Sequence, residues 1–450
     1  MASFLVPTAL NSRCYRVEPV RGALSKQSQR FLTSLATTSA ANSSSSAATH
    51  RSLRKFVKSS SKHVVLSTLS HLLSPTATLH PQLSSLAFPL YLIISEEASW
   101  FSWNAKLLAD VIAVMYKQER FIEAESLILE AVKKLGGQDR DLCNFYCYLI
   151  NSNSKHQSKK GVVDSIARLR QLMRHSSSVY VQKRAYESMI SGLCEIGLAR
   201  EAEDMMEETR SITTTTGLKP SGFEFRCLVY AYGRLGLFED VRRNVNLMES
   251  EGFELDTVCS NMVLSSLGAH NHLSEMVSWL QRMKKSEVSF SIRTYNSVLN
   301  SCPTLMLMLQ DPKSVPLSIE ELMSSLGENE ASLVKELVAS SSVLDGVMEW
   351  NSSELKLDLH GMHLGSACLV FLQWINEVRL RFLAGDQMVP AEMTVVCGSG
   401  KHSTTRGESP VKKLLKEMIL GMNNCPLKID RGNVGCFVCK GKVFRDWLFY

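Results

Sequence analysis

The chain lacks long apolar runs. Its best stretch, Leu86 to Ile94, is short and interrupted by Pro89, whereas a bilayer-spanning helix needs about 20 apolar residues, so a membrane span is excluded. It also lacks a dense cysteine framework. Twelve cysteines are scattered through 450 residues, which fits a reducing compartment better than a secreted disulfide scaffold. Acid is nearly missing from the beginning: residues 1–62 hold ten Lys/Arg and one carboxylate, Glu18, and the next is Glu96. What remains is ordinary. Apolar residues make up 45% and charged residues 21%, which excludes wholesale disorder. The length exceeds what one core usually supports, and about three units of roughly 150 residues are expected.

The net charge of +6 is unevenly spread. Residues 1–62 carry +9, residues 63–354 carry −8 (27 basic, 35 acidic) and residues 355–450 carry +5 (13 basic, 8 acidic). Affinity for an anionic partner therefore has to come from local faces, best from the C-terminal segment. The acid-poor, Ser/Thr-rich residues 1–62, with isolated arginines and the run Ser43 to Ser46, read as a disordered organelle transit peptide. Few early arginines favour the chloroplast, with the mitochondrion as the alternative. Residues 63–104 read as a leading helical segment.

The middle of the chain repeats. Gly192-Leu193-Cys194-Glu195-Ile196-Gly197-Leu198 aligns with Ala231-Tyr232-Gly233-Arg234-Leu235-Gly236-Leu237, and 222–256 and 257–291 are successive segments of equal length. Leu228, Tyr232 and Leu235 recur at helical spacing, as do Val241, Val245 and Met248 after a turn. Each unit is thus helix, tight turn, helix. Neither helix can bury its stripe alone, so neighbouring units must stack into an α-solenoid over 105–318. Units start near 105, 140, 183, 222, 257 and 292. The second has an insertion around Ser152–Lys160, the third a long closing loop at Thr213–Thr216, and the last breaks at Pro303.

Ala185-Tyr186-Glu187-Ser188-Met189-Ile190-Ser191-Gly192-Leu193-Cys194, Gly217-Leu218-Lys219-Pro220-Ser221 and Thr294-Tyr295-Asn296-Ser297-Val298-Leu299 resemble the pentatricopeptide repeat family. The tetratricopeptide repeat shares the topology, but its Trp/Leu/Gly/Tyr pattern is missing. The resemblance implies that single-stranded RNA is read one base per repeat, by the fifth and last residues of each. Here these are Asn144; Glu187 with Ser221; Arg226 with Asp256; Asn261 with Ser291; and Asn296. Asn261/Ser291 looks like a pyrimidine-reading pair, while Glu187 and Arg226 depart from the usual Asn, Thr or Ser. The competing reading is a degenerate solenoid that positions the chain or binds protein, and the −8 balance speaks for it.

Residues 319–354 read as a helical linker ending in Ser340-Ser341-Ser342. Beyond it, Leu355-Lys356-Leu357-Asp358-Leu359-His360 alternates as a strand, Gly365 to Leu383 is an amphipathic helix with Ala367, Val370, Phe371 and Trp374 inward, and Met393 to Cys397 is a second strand. Val411 to Leu420 forms another helix, with short strands at Leu427–Ile429 and Val434–Val438, giving a small α/β sandwich over 355–450. Asp358 and His360, two apart on a strand, should share a face. Gly398-Ser399-Gly400-Lys401-His402-Ser403 leaves strand two as a loop whose backbone N–H groups can meet a phosphate, with Lys401, His402 and Arg406 as added donors. It is not a Walker A loop, because Val395 and His402 stand where Gly and Ser/Thr are required, so no nucleotide cofactor is expected.

Leu357-Asp358-Leu359-His360-Gly361 with Gly398-Ser399-Gly400-Lys401-His402-Ser403 resembles the small MutS-related domain. That resemblance implies nicking of DNA or cleavage of RNA, with Asp358 and His360 implicated. Asp358 would hold Mg2+ or Mn2+, and His360 or His402 would move a proton. Cys397 and a long loop at Thr404–Ser409 depart from the family pattern. Cys436 and Cys439 lack enough partners for zinc and read as buried thiols, and Trp374 and Trp447 read as core. The expectation is an organellar factor whose repeats hold RNA beside a module that binds or cuts it. The alternatives are a non-catalytic RNA-stabilising protein or ribonucleoprotein adaptor, and DNA nicking.

Overall fold

The structure, a computed structural model, describes residues 24–41, 46–77, 81–211, 217–385, 388–398 and 409–449. They form two compact bodies, residues 1–220 and 221–450. No described helix is long and apolar enough to cross a membrane.

In the first body, three helix pairs follow one another: Ala105–Lys117 with Phe121–Leu135, Asp139–Lys155 with Lys159–His175, and Val179–Glu195 with Ala199–Ser211. Successive first helices pack side by side, and this explains their composition. Helix Ala105–Lys117 is apolar nearly all round and buries Leu108, Ala109 and every residue from Val111 to Tyr116. Its partner buries a single stripe, Ala124, Ile128 and Ala131, at i, i+4 and i+7. An inner helix has neighbours on both sides, whereas an outer helix needs one apolar face only. The expected insertion at Ser152–Lys160 is not a loop: both helices of that pair run 17 residues, and the extra length is helical.

The turn between the helices of a pair places one residue at positive φ in the same position each time: Glu119 (61°), Gln157 (54°) and Gly197 (79°). The following amide closes onto the first helix, as in Arg120 N–H to the Met115 carbonyl at 3.0 Å and Leu198 N–H to the Leu193 carbonyl at 2.9 Å. Only one of these residues is glycine, so at the other two the closing hydrogen bond and packing outweigh the left-handed cost.

The leading segment forms helices Lys62–Leu72, Pro81–Ser84 and Ala87–Glu97. Residues 1–62, expected to be disordered, contain helices Lys26–Ala41 and Ser46–Ser59. Leu53, Phe56 and Val57 are buried in the core shared with Leu69, Leu90 and Ile94, and Phe31 stacks on Phe56 at 4.0 Å. That apolar spacing was hidden within a Ser/Thr/Ala-rich composition.

The second body continues the pattern with Gly222–Arg234 and Phe238–Ser250, Thr257–Ala269 and Leu273–Lys285, and Ile292–Leu299 and Pro303–Met308. Pro303 starts the last helix at its first turn, where its missing N–H costs nothing. First helices approach closely at glycine: a Cβ on Gly268 would meet Ser301, and one on Gly233 would meet Ser266.

The expected linker is part of this packing. Helix Glu328–Val338 lies against Leu273–Lys285 and buries Leu333, Val334 and Leu337. Buried Glu330 accepts the Thr304 and Leu305 amides at 3.0 and 3.2 Å, capping the short helix. Helices Ile319–Ser325 and Ser342–Val347 complete the segment.

The α/β module is one five-stranded sheet, in the order β1 (Met348–Trp350), β2 (Glu354–Asp358), β3 (Glu392–Val396), β5 (Cys436–Lys440), β4 (Lys428–Ile429). β2 and β3 are parallel, joined through helix Leu364–Ala384, and the other pairs are antiparallel. Leu355, Leu357, Met393, Val395 and Phe437 join Phe371, Trp374 and Phe444 in the core. Helix Leu364–Ala384 also packs against Ile292–Leu299. It takes the place that the first helix of a further pair would occupy, with Gly365 allowing the approach: a Cβ there would lie 3.0 Å from Leu299 Cβ. The module thereby covers the apolar end of the helix stack, which a solenoid otherwise exposes.

Candidate nucleic-acid interface

The fifth and last residues of a helix pair lie far apart in sequence, and the structure joins them in two pairs. Asn261 Nδ2 donates to Ser291 Oγ at 3.2 Å, and Arg226 pairs with Asp256 at 3.4 Å. The cause is local. The last residue of one pair is the N-cap of the next first helix, so its side chain is held at the helix start, beside the fifth residue. Asp256 caps through the Cys259 amide at 2.7 Å. Ser291 caps through Thr294, as Ser221 does through Glu224 in a capping box.

Asn261 is buried, and its Oδ1 also accepts from Thr294 Oγ1 at 2.8 Å. Glu187 is ion-paired with Arg184 at 3.4 Å. Asn144 accepts from the Tyr180 hydroxyl at 3.2 Å. Tyr180 is 42% exposed, with the Arg140 guanidinium 4.7 Å from its ring centre. Sequence reasoning passed Tyr180 over; the signal was an aromatic in the first turn of a first helix, two residues after the Ser178 cap.

In the module, parallel pairing sets Asp358 opposite Val396, and the Leu359 amide reaches the Val396 carbonyl at 2.9 Å. The first motif and Gly398, about 40 residues apart in sequence, therefore meet: the nearest atom to a Cβ on Gly398 (φ 80°) would be Cδ2 of His360, at 3.7 Å. Asp358 and His360 do not share a strand face as expected. β2 ends at Asp358, whose Oδ1 accepts the His360 amide at 2.9 Å, and His360 stands exposed in the turn before Gly361 (φ 82°). The short side chain of Asp captures the amide two residues on and breaks the ladder. Gly400, Lys401, His402 and Arg406 lie outside the described residues.

Asn296, expected to read a base, is engaged elsewhere. Its Nδ2 donates to the Gly361 carbonyl at 3.2 Å and its Oδ1 accepts the His363 amide at 2.9 Å. Asn300 Nδ2 lies 2.6 Å from His363 Nδ1.

Cysteine chemistry is muted. Burial pushes the Cys397 and Cys439 thiols up to about 12 and Cys425 to about 11, so without a bound metal these groups stay protonated. Among the described residues no three His, Cys, Asp or Glu side chains gather for a metal. Trp374 is fully buried, while Trp447 is half-buried and donates to the Asn423 carbonyl at 2.8 Å.

A PPR repeat family model matches residues 184–212 and 258–288. A pentatricopeptide repeat-containing protein of Arabidopsis thaliana is 52% identical over 425 residues, covering 94% of this chain and 82% of that protein. The chain belongs to the pentatricopeptide repeat family. A second such Arabidopsis thaliana protein is 32% identical over 125 residues, 27% of this chain and 14% of its own. A Zea mays pentatricopeptide repeat-containing protein named as chloroplastic is 20% identical over 277 residues, 59% of this chain and 39% of its own. The crystal structure of the maize pentatricopeptide repeat protein PPR10 aligns at a TM-score of 0.33 with 12% identity, over 88% of this chain and 60% of that one. In the pentatricopeptide frame, the Asn261/Ser291 and Arg226/Asp256 contacts each join the two ends of one repeat.

Proposed function

We propose that this protein binds single-stranded RNA in a plant organelle and takes part in RNA processing. The observation that carries it is the joining of Asn261 to Ser291 and of Arg226 to Asp256, which sets pairs of hydrogen-bonding side chains at one-repeat intervals, as a base-by-base reader needs. Support also comes from the chain's membership of the pentatricopeptide repeat family. The chloroplast is the proposed compartment, the mitochondrion the alternative, and other organellar ribonucleoproteins are proposed partners. Selection from a random RNA library tests the reading: Asn261→Asp should alter base preference at one position and leave the others intact. An unchanged profile would refute base reading.

The C-terminal module we read as small MutS-related in type, binding the held strand or cutting it with Mg2+ or Mn2+. A divalent ion would sit at Asp358 and keep much of its own water, as Mg2+ commonly does; it would supply charge neutralisation at phosphate. Exposed His360 would relay a proton at the scissile bond. The second reading, a non-catalytic RNA-stabilising protein or ribonucleoprotein adaptor, has its own observation: Asp358 is already used to close a turn. RNA and DNA incubated with the full chain, with and without each ion, separates the two readings and decides the sugar.

A further inference from the structure

The sixth repeat has the residue types of a reader, yet its side chains face the chain itself. We propose that Asn296 is a positioning residue that recognises the Gly361–His363 turn instead of a base, so that within residues 221–450 the reading track ends at Asn261/Ser291 and the Asp358–His360 loop occupies the next place along it. The inference rests on the RNA-binding reading for the track, and on geometry alone for the clamp.

The geometry is that of a backbone mimic. An Asn amide offers a donor and an acceptor side by side, and Asn296 spends one on the Gly361 carbonyl and the other on the His363 amide, at 3.2 and 2.9 Å. Those two groups flank Met362, which is buried, and follow directly on exposed His360. Asn300, one helical turn after Asn296, adds the contact to the His363 ring. The turn is thereby held at two points by a single face of helix Ile292–Leu299 and its C-cap, while Gly365 seats the next helix against Leu299 and Leu305. Hydrogen bonds to a turn on both sides restrict the loop more than a connecting chain could, because they fix orientation as well as distance.

The step between repeats is one base. A strand held at Asn261/Ser291 would therefore present its next nucleotide to the His360 loop in one register. A module swinging on a flexible tether would instead contact several positions.

Two measurements on the full chain test this. Amide hydrogen exchange in Asn296→Ala and Asn300→Ala should quicken at His363 by about tenfold, with exchange in residues 222–285 unchanged. Unaltered exchange at His363 in both variants overturns the clamp, whatever the protein binds. Quickening throughout 222–285 would mean general loosening and would also count against it; Asn296→Gln, which keeps both groups on a longer stem, then serves as the milder variant and should quicken His363 alone. Next, base preference from a random RNA library should be the same for Asn296→Asp as for the wild type, while Asn261→Asp shifts one position. A second shifted position next to it in Asn296→Asp would show that Asn296 reads a base, overturning the proposal while leaving RNA binding intact. A profile unchanged in both variants would refute base reading at Asn261 and leave the clamp to stand on exchange.

Discussion

Replacing Gly268 with alanine would measure how tightly adjacent repeats are stacked. An alanine Cβ there would overlap Ser301 Oγ, lie 2.7 Å from Ser301 Cβ and lie 3.6 Å from Met276 Cε. The hydroxyl can rotate away, although it would lose its bond to the Ser297 carbonyl at 2.8 Å. The Cβ cannot, because it is fixed to the backbone, so the helices must part. In an exposed helix, Gly→Ala stabilises by roughly 0.5–1 kcal/mol. Over-packing costs roughly 1–3 kcal/mol. The net expectation is a loss of about 1–2 kcal/mol, or roughly 2–8 °C in the melting of a body of this size. Urea unfolding followed by circular dichroism would read it. Ser301→Gly, harmful alone, should restore part of the loss in the Gly268→Ala background, since it removes both clashing atoms. A Gly268→Ala protein more stable than the wild type would refute the close-stacking argument, and with it the fixed spacing between Asn261 and Asn296.

Burial holds the His156 imidazole down at about 4. It is neutral when folded but protonates near 6.5 when unfolded, so stability is complete above about pH 6.5 and falls as pH drops toward about 4. By linkage the loss approaches roughly 3 kcal/mol, and His156→Gln should flatten that part of the curve in urea titrations at successive pH values. If the module cleaves, Asp358→Asn and His360→Ala should each remove most of the rate, and the double variant should be scarcely slower than either single one, as for parts acting together; cleavage undiminished in both would assign the activity elsewhere. A reporter fused to residues 1–62 should enter plastids when viewed by fluorescence microscopy. A cytosolic signal would sink that address, and a mitochondrial one would select the alternative.

The sequence alone determined the repeat. Stripes such as Val241, Val245 and Met248 follow helical geometry, and their recurrence requires stacked neighbours; the first helices of the described pairs start at Ala105, Asp139, Val179, Gly222, Thr257 and Ile292. Alternation in Leu355-Lys356-Leu357 likewise announced β2, because one sheet face is buried. Three things were decided only by tertiary structure. Composition could not show that Leu53 and Phe56 have partners to bury against. Strand β1 is three residues long, and it becomes a strand only through antiparallel pairing with β2. Asn296 has the residue type of a base reader, and nothing near it in sequence distinguishes it from Asn261. Its partners are 65 and 67 residues away. Helical periodicity says which face of a helix is polar; only the packing of a distant turn against that face decides what the polar groups bind.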